Sequence, residues 1–417
     1  MTEMTEQNVA SLQSELGDGT FLERPVTYNV YRASEYRRKL RELVSAKPDL
    51  GTIAECREGF ASLSFSDAAH IVPAEGAGEN ETAMGVDLTI HDTHAPGTLE
   101  HLGHDTGLLE ALVRVGGNLR GCVLIGGDAG SGRSTTLVRA LERAYYDHGG
   151  RIGIVALEDP NEDSICLPGV VQIPLSREGD EQSREASLRK VLNTFNGTYP
   201  GLVMLSEIRD GMAARDALQL ACSGYGLYST IHAASANRIA FRMIDLGVAP
   251  EELSQAGLLR LLVQQTLVPL LCEGCKRPVD LETLDSAQRQ HLAPILEDLD
   301  SVFLHNPEGC ESCRSQSGTE QGANTSAGYR RLFAVGEFIE PDDAYNEFVR
   351  TNNPLGARAH WLKPVAEGGM GGIELSQKTT ELVLTGQLDP FDCLLHKGDL
   401  NKRLTPVLRS QLRLRVE

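Results

Sequence analysis

Positive charge is scarce in this chain: 39 Lys and Arg stand against 58 Asp and Glu, a formal net charge of −19. That balance argues against wholesale wrapping of nucleic acid, which needs a basic footprint to release counterions, and leaves room only for a local basic patch. Long apolar runs are missing too. The most apolar stretch, 258–271, is interrupted by Arg260, Gln264, Gln265 and Pro269. Nothing therefore reaches the roughly 20 residues that a membrane-crossing helix needs. The N-terminus, M-T-E-M-T-E-Q, is acidic and polar and reads as no secretory signal. Nine cysteines without such a signal point to a reducing compartment, where clustered thiols favour metal over disulfide. At 417 residues, two or three domains and a cytoplasmic location are the expectation.

The absence with most consequence is one lysine. Residues 127–134 read G-D-A-G-S-G-R-S, which meets the phosphate-loop pattern G-x-x-x-x-G-K-[ST] everywhere except at Arg133. Gly127, Gly130 and Gly132 let the backbone turn so that N–H groups converge on a phosphate, and Ser134 offers a hydroxyl to Mg²⁺. The flanks fit the same reading. A short apolar run at 122–126 suits a buried strand, and Leu137, Ala140, Leu141 and Ala144 recur at helical spacing behind the loop.

The rest of the chain is expected to fall into five parts. These are a flexible N-terminus over 1–25, a small α/β domain over 26–98, a P-loop core over 99–266, a tetracysteine zinc-binding subdomain over 267–336 and a helical C-terminal region over 337–417. In the N-terminal part a basic helix is expected over 36–45, strands over 60–65 and 86–90, and an acidic loop, E-G-A-G-E-N-E-T, between them. The core alternates strands at 122–126, 152–157, 202–205 and 227–231 with helices at 134–146, 184–195 and 212–221. Alternation of this kind predicts a parallel sheet covered on both faces, with ligands at the carboxyl ends of its strands.

Polar groups fall at those ends. A-L-E-D-P-N-E places Glu158 after a strand, and L-V-M-L-S-E-I-R-D ends a strand at Glu207 with Arg209 close behind. L-Y-S-T-I-H-A puts His232 one residue past another. A carboxylate after an apolar strand is where a P-loop enzyme holds Mg²⁺ and the attacking water. Two C-x-x-C pairs, Cys272 with Cys275 and Cys310 with Cys313, supply four thiolates that can converge on a structural Zn²⁺. Cys56, Cys122, Cys166, Cys222 and Cys393 stand alone and read as small hydrophobes.

In this order the segments resemble the traffic ATPases of type II secretion and type IV pilus assembly, the GspE/PilB group. The residues carrying the resemblance are G-x-x-G-S-G-x-S-T-T-L, E-D-P-x-E, E-I-R-D, S-T-x-H, R-x-I-D-L-G-V, the two C-x-x-C pairs, G-Y-R-R and G-x-L-D-P-F-D, from about Leu99 to Asp392. The resemblance implies a RecA-like P-loop core in a hexameric ring on the inner membrane. ATP and Mg²⁺ would drive a membrane platform protein that extracts pilin or pseudopilin subunits. Position by position, it implies that Gly127, Gly130, Ser131, Gly132, Arg133, Ser134 and Thr135 bind nucleotide, with Ser134 on Mg²⁺. Glu158 would lie beside the γ-phosphate, Glu207 would polarise water, His232 would sense the γ-phosphate and Arg209 would brace the site. The four paired cysteines would hold Zn²⁺.

The chain departs from the family at Arg133, at Ser206 (glycine before the glutamate in the family) and at Tyr225 (histidine in many members). A guanidinium is a planar fork where lysine is a compact point charge, so turnover could fall by orders of magnitude while binding survives. Those departures keep a second reading open, a slow or inactive structural paralogue in the ring. A DNA-transfer motor of a conjugation system is a third, disfavoured by the acidic charge and the cysteine pairs.

Overall fold

The computed structural model of the chain describes residues 27–32, 60–64, 83–91, 99–158, 170–174, 201–316, 327–396 and 398–412. The helices expected over 36–45 and 184–195, the acidic loop, Cys56 and Cys166 lie outside them. The chain divides into two units, Met1–Ala95 and Pro96–Glu417. In the first, strands β1 (Thr27–Arg32) and β2 (Phe60–Ser64) flank β3 (Ala83–His91) in an antiparallel sheet, with Thr27 opposite Asp87 and Phe60 opposite His91.

The second unit is built on a seven-stranded sheet. Its strands are β4 (Gly121–Gly126), β5 (Ile154–Glu158), β6 (Val170–Pro174), β7 (Leu202–Ile208), β8 (Gly226–Ile231), β9 (Leu259–Leu271) and β12 (Tyr329–Ile339), in the order β12-β9-β4-β8-β7-β5-β6. All neighbours are parallel except β12, which returns antiparallel along β9. Strands buried on both faces need continuous apolar runs, and every residue of β4 and β8 is buried.

Alternate residues feed two cores. Cys122 and Leu124 join Ala213, Ala217 and Ile239 on one face, and Val123 and Ile125 join Leu112, Leu137 and Leu141 on the other. The covering helices are α1 (Thr106–Gly116) and α2 (Arg133–Asp147) on the second face, with α3 (Gly211–Cys222) and α4 (Ala236–Asp245) on the first. A third core forms where the far halves of β9 and β12 meet the C-terminal region. There Val268, Leu270, Phe333 and Val335 pack with Leu292, Ile295, Leu382 and Val383.

The stretch that is too interrupted for a membrane helix forms one unbroken strand, β9, which crosses the boundary expected at 266/267. Pro269 fits because the ladder with β4 ends at Gln264, so at Pro269 the strand is paired on one side only, opposite Leu332 of β12. The two cysteine pairs lie between β9 and β12, beside a small antiparallel pair, β10 (Arg277–Pro278) and β11 (Phe303–Leu304). After β12 come helices α8 (Asp343–Arg350), α9 (Pro354–Leu362), α10 (Leu375–Leu384), α11 (Pro390–Leu395) and α12 (Pro406–Gln411), α5 (Pro250–Leu253), α6 (Ser286–Leu292) and α7 (Glu311–Gln316) being the earlier short ones. Among the described residues no helix is long and apolar enough to cross a membrane. Cys122 and Cys393 are buried as small hydrophobes, whereas Cys222 is exposed at the end of α3.

Candidate active site

The loop between β4 and α2 has the shape of an anion cradle. Gly130 and Gly132 both take left-handed φ, +76° and +78°, which other residues adopt only with strain. Gly127 is needed for another reason: a Cβ there would stand 2.2 Å from Ser131 Oγ and 2.8 Å from the carbonyl of Gln265. Helices α1, α3 and α4 are capped by the side chains of Asp105, Asp210 and Ser235. Gly132 caps α2 with no side chain at all, so the first N–H groups of a 15-residue helix stay open to an anion. Ser134 and Thr135 lie in that first turn. Gln265 on β9 braces the loop from behind, its Nε2 donating to the buried Ser131 carbonyl at 2.7 Å. Ser131 Oγ and Gln265 Oε1 are buried without a hydrogen-bond partner among the described residues.

Two neighbouring strand ends deliver the other groups. β8 ends at Ile231, opposite both Gly126 and Ile208, and His232 follows it directly. β7 carries Glu207 across an irregularity between Leu205 and Glu207, where Ser206 is the extra residue and its carbonyl accepts from Thr230 Oγ1 at 2.6 Å. A bulge re-aims the side chains that follow it, and here it turns Glu207 toward the loop.

Arg133, Glu207 and His232 meet in one cluster. Arg133 Nη1 lies 3.3 Å from Glu207 Oε1, His232 Nε2 lies 3.0 Å from the same oxygen, and Arg133 Nη2 is 3.5 Å from His232 Nε2. Arg209 Nε donates to Glu207 Oε2. The arginine at 133 and the carboxylate are each only 12 % exposed, while the His232 side chain is 54 % exposed. Burial alone would raise the Glu207 carboxyl. The hydrogen bond and charge of Arg209, then the charges of Arg133 and His232, outweigh it and hold Glu207 below its ordinary range. Nε2 of His232 has one role at a time: protonated it donates to Glu207, bare it accepts from Arg133.

Glu158 is the last residue of β5, next to β7, and its side chain lies outside the described residues. Motif reading missed Gln265 as a brace. A glutamine pair inside an otherwise apolar strand was the available signal.

The four cysteines form a second centre. Their sulfurs all lie within 4.8 Å of one another, with Cys272 and Cys310 3.8 Å apart and Cys275 and Cys313 3.9 Å apart. Four sulfurs about 2.3 Å from one tetrahedral ion would stand about 3.8 Å apart, so the set fits Zn²⁺. Burial and the neighbouring thiols push Cys275 up to about 12. At Cys313 the N–H groups of Cys310 and Gly328, at 3.0 and 3.3 Å, outweigh burial and bring the thiol down to about 7.

Residues 88–360, about two thirds of the chain, match the family model described as Type II/IV secretion system protein. The chain belongs to that family. It is 32% identical over 236 residues to Type II secretion system protein E of Pectobacterium carotovorum subsp. carotovorum, covering 57% of this chain and 41% of that protein. It is 31% identical over 293 residues to the type IV pilus assembly ATPase TfpB of Acinetobacter baylyi, covering 69% and 46%. A solved structure of the Legionella pneumophila ATPase DotB is similar over 86% of this chain and 83% of that one, at 15% identity and a TM-score of 0.45. The chain spans about half the length of the curated relatives it matches. The fold of this chain is the RecA-like P-loop α/β core described above, with a tetracysteine cluster between β9 and β12.

Proposed function

We propose that this chain is a ring-forming ATPase subunit that binds Mg-ATP at the loop 127–135 and powers assembly of a type IV pilus or a type II secretion pseudopilus. The observation that carries it is the meeting of Arg133, Glu207 and His232, from three separate segments, at the carboxyl edge of the parallel sheet. In this reading the loop N–H groups and Arg133 hold the phosphates, and Ser134 Oγ ligates Mg²⁺. Glu207, kept ionised by Arg209, orients the attacking water. His232 reports the γ-phosphate, and Glu158 lies in the acidic box beside it. Cys272, Cys275, Cys310 and Cys313 hold a structural Zn²⁺ in an insertion between β9 and β12. The working assembly is a homo-hexamer in the cytoplasm, peripheral to the inner membrane through a platform protein, with no stable nucleic-acid binding.

A second reading has an observation of its own. Arg133 ties up the carboxylate that must handle water, which suits a subunit that holds nucleotide and turns it over slowly. Calorimetric titration with ATP and ADP, with and without Mg²⁺, tests the common ground. Saturable, Mg-dependent binding that Ser134→Ala weakens supports both readings, and no binding at millimolar nucleotide refutes both.

A further inference from the structure

Glu337 is a carboxylate that the cluster above does not use. It lies on β12, 4 % exposed, and backbone groups take both of its oxygens. Oε1 accepts the N–H of Ala236 at 2.8 Å, and Oε2 accepts that of Leu375 at 2.7 Å. Ala236 and Leu375 are the first residues of α4 and α10. One buried carboxyl group thus sits at two helix N-termini: burial pushes it above its ordinary range, and the N–H groups of Leu375 and Ala236 pull the other way.

The first of those helices begins four residues after His232. Ile231 is fixed by its ladder to Gly126 and Ile208, so residues 232–235 are strung between a fixed strand end and Ala236. Ser235 caps α4 locally by accepting from Arg238; Ala236 and Ile239 pack on the sheet, and the hydrogen bond that ties Ala236 to it runs to Glu337. The second helix, α10, has another buried anchor. Lys378 pairs with Asp105 and donates to the Gly336 carbonyl, and the adjacent His104 Nε2 lies 3.2 Å from Thr136 of α2. Helix α10 therefore reaches the His232 segment through Glu337 and the phosphate-loop helix through Lys378, Asp105 and His104.

We propose that Glu337 is a positioning residue for His232: its two oxygens pin the start of α4 and join it to the start of α10, so the histidine and α10 move together or not at all. This rests on the reading of Arg133, Glu207 and His232 as a phosphate site. A leucine or valine opposite Gln264 would fill the same space, but it would leave two buried N–H groups unpaired.

Glu337→Gln tests it. A carboxylate accepts at both oxygens, whereas an amide has one acceptor and turns its NH₂ toward the second backbone N–H. In the full chain labelled with ¹³C-histidine, the variant is expected to shift the His232 ring resonance. It should also speed amide exchange at Ala236 or Leu375 by about tenfold, as loss of a charge-assisted bond implies, with exchange in β5 and β7 unchanged. The preference for a non-hydrolysable ATP analogue over ADP should fall, with ADP affinity kept.

The second variant is Ala236→Pro. Proline suits the first helical position and lacks the N–H donated to Oε1. It should shift the His232 resonance with Leu375 exchange unchanged, and it decides the matter alone if Glu337→Gln does not fold. An unmoved His232 resonance in the folded variants overturns the proposal. Failure of the native chain to bind nucleotide overturns the phosphate-site reading instead, and the resonance and exchange measurements, which need no nucleotide, still decide the role of Glu337.

Discussion

Replacing Arg133 by lysine should tighten binding of a non-hydrolysable ATP analogue far more than binding of ADP. The guanidinium spans Glu207 at 3.3 Å and His232 at 3.5 Å. Unit charges 3.3 Å apart attract by about 5 kcal/mol at an effective dielectric of ~20, most of it cancelled by the cost of desolvating both partners. The net value of such a charge-assisted hydrogen bond is about 1.5–3 kcal/mol. An arriving γ-phosphate must displace that contact, and Glu207 then keeps Arg209 on one oxygen and His232 beside the other. An ammonium cannot bridge both partners as the fork does, so lysine gives up much of the competing contact. At about 1.4 kcal/mol per factor of ten, the ATP analogue should bind roughly ten- to a hundredfold more tightly. ADP, with no γ-phosphate, should change by little. Calorimetry on the native chain, Arg133→Lys, Glu207→Gln and the double variant closes a cycle whose coupling energy isolates the pair. An analogue affinity that does not rise, or one that rises equally for ADP, refutes the competition between the γ-phosphate and the Arg133–Glu207 contact.

Three further outcomes follow from the same geometry. His104 is fully buried, and burial brings its imidazole down from 6.5 to about 4. The unfolded chain takes up that proton first, so stability falls as pH drops through this window, by about 3 kcal/mol from this group. His104→Gln should flatten urea-unfolding stability over the same range. Metal analysis should find about one zinc per native chain and a clear loss in Cys272→Ser or Cys310→Ser, with a lower unfolding temperature; metal-free native protein would remove the zinc claim. Gly127→Ala places a methyl 2.2 Å from Ser131 Oγ. Overpacking of this kind costs about 1–3 kcal/mol of folding stability, so the variant should unfold at lower urea, and the displaced loop should bind ADP and the ATP analogue more weakly alike.

Local chemistry in this chain was readable, and tertiary pairing was not. The strand, glycine loop and helix around Arg133 were legible because each carries its own pattern, and the strands 121–126 and 226–231 fall within one residue of expectation. Glu207 and His232 were legible as polar residues ending apolar strands. Their contact with Arg133, over sequence distances of 74 and 99, was not. Long polar side chains hid β9, because Gln264 and Gln265 look like interruptions until the loop that Gln265 supports is in place. β6 is a five-residue edge strand with little pattern of its own. Glu337 was hidden differently: both of its partners are backbone N–H groups, which leave no trace in side-chain patterning.

Steady-state release of phosphate from Mg-ATP by the purified protein, run beside Glu207→Gln, tests the central claim most directly. The account predicts measurable turnover by the native chain that Glu207→Gln abolishes while nucleotide still binds. Turnover indifferent to Glu207→Gln would contradict it, because the carboxylate held between Arg133 and Arg209 would then have no part in the chemistry.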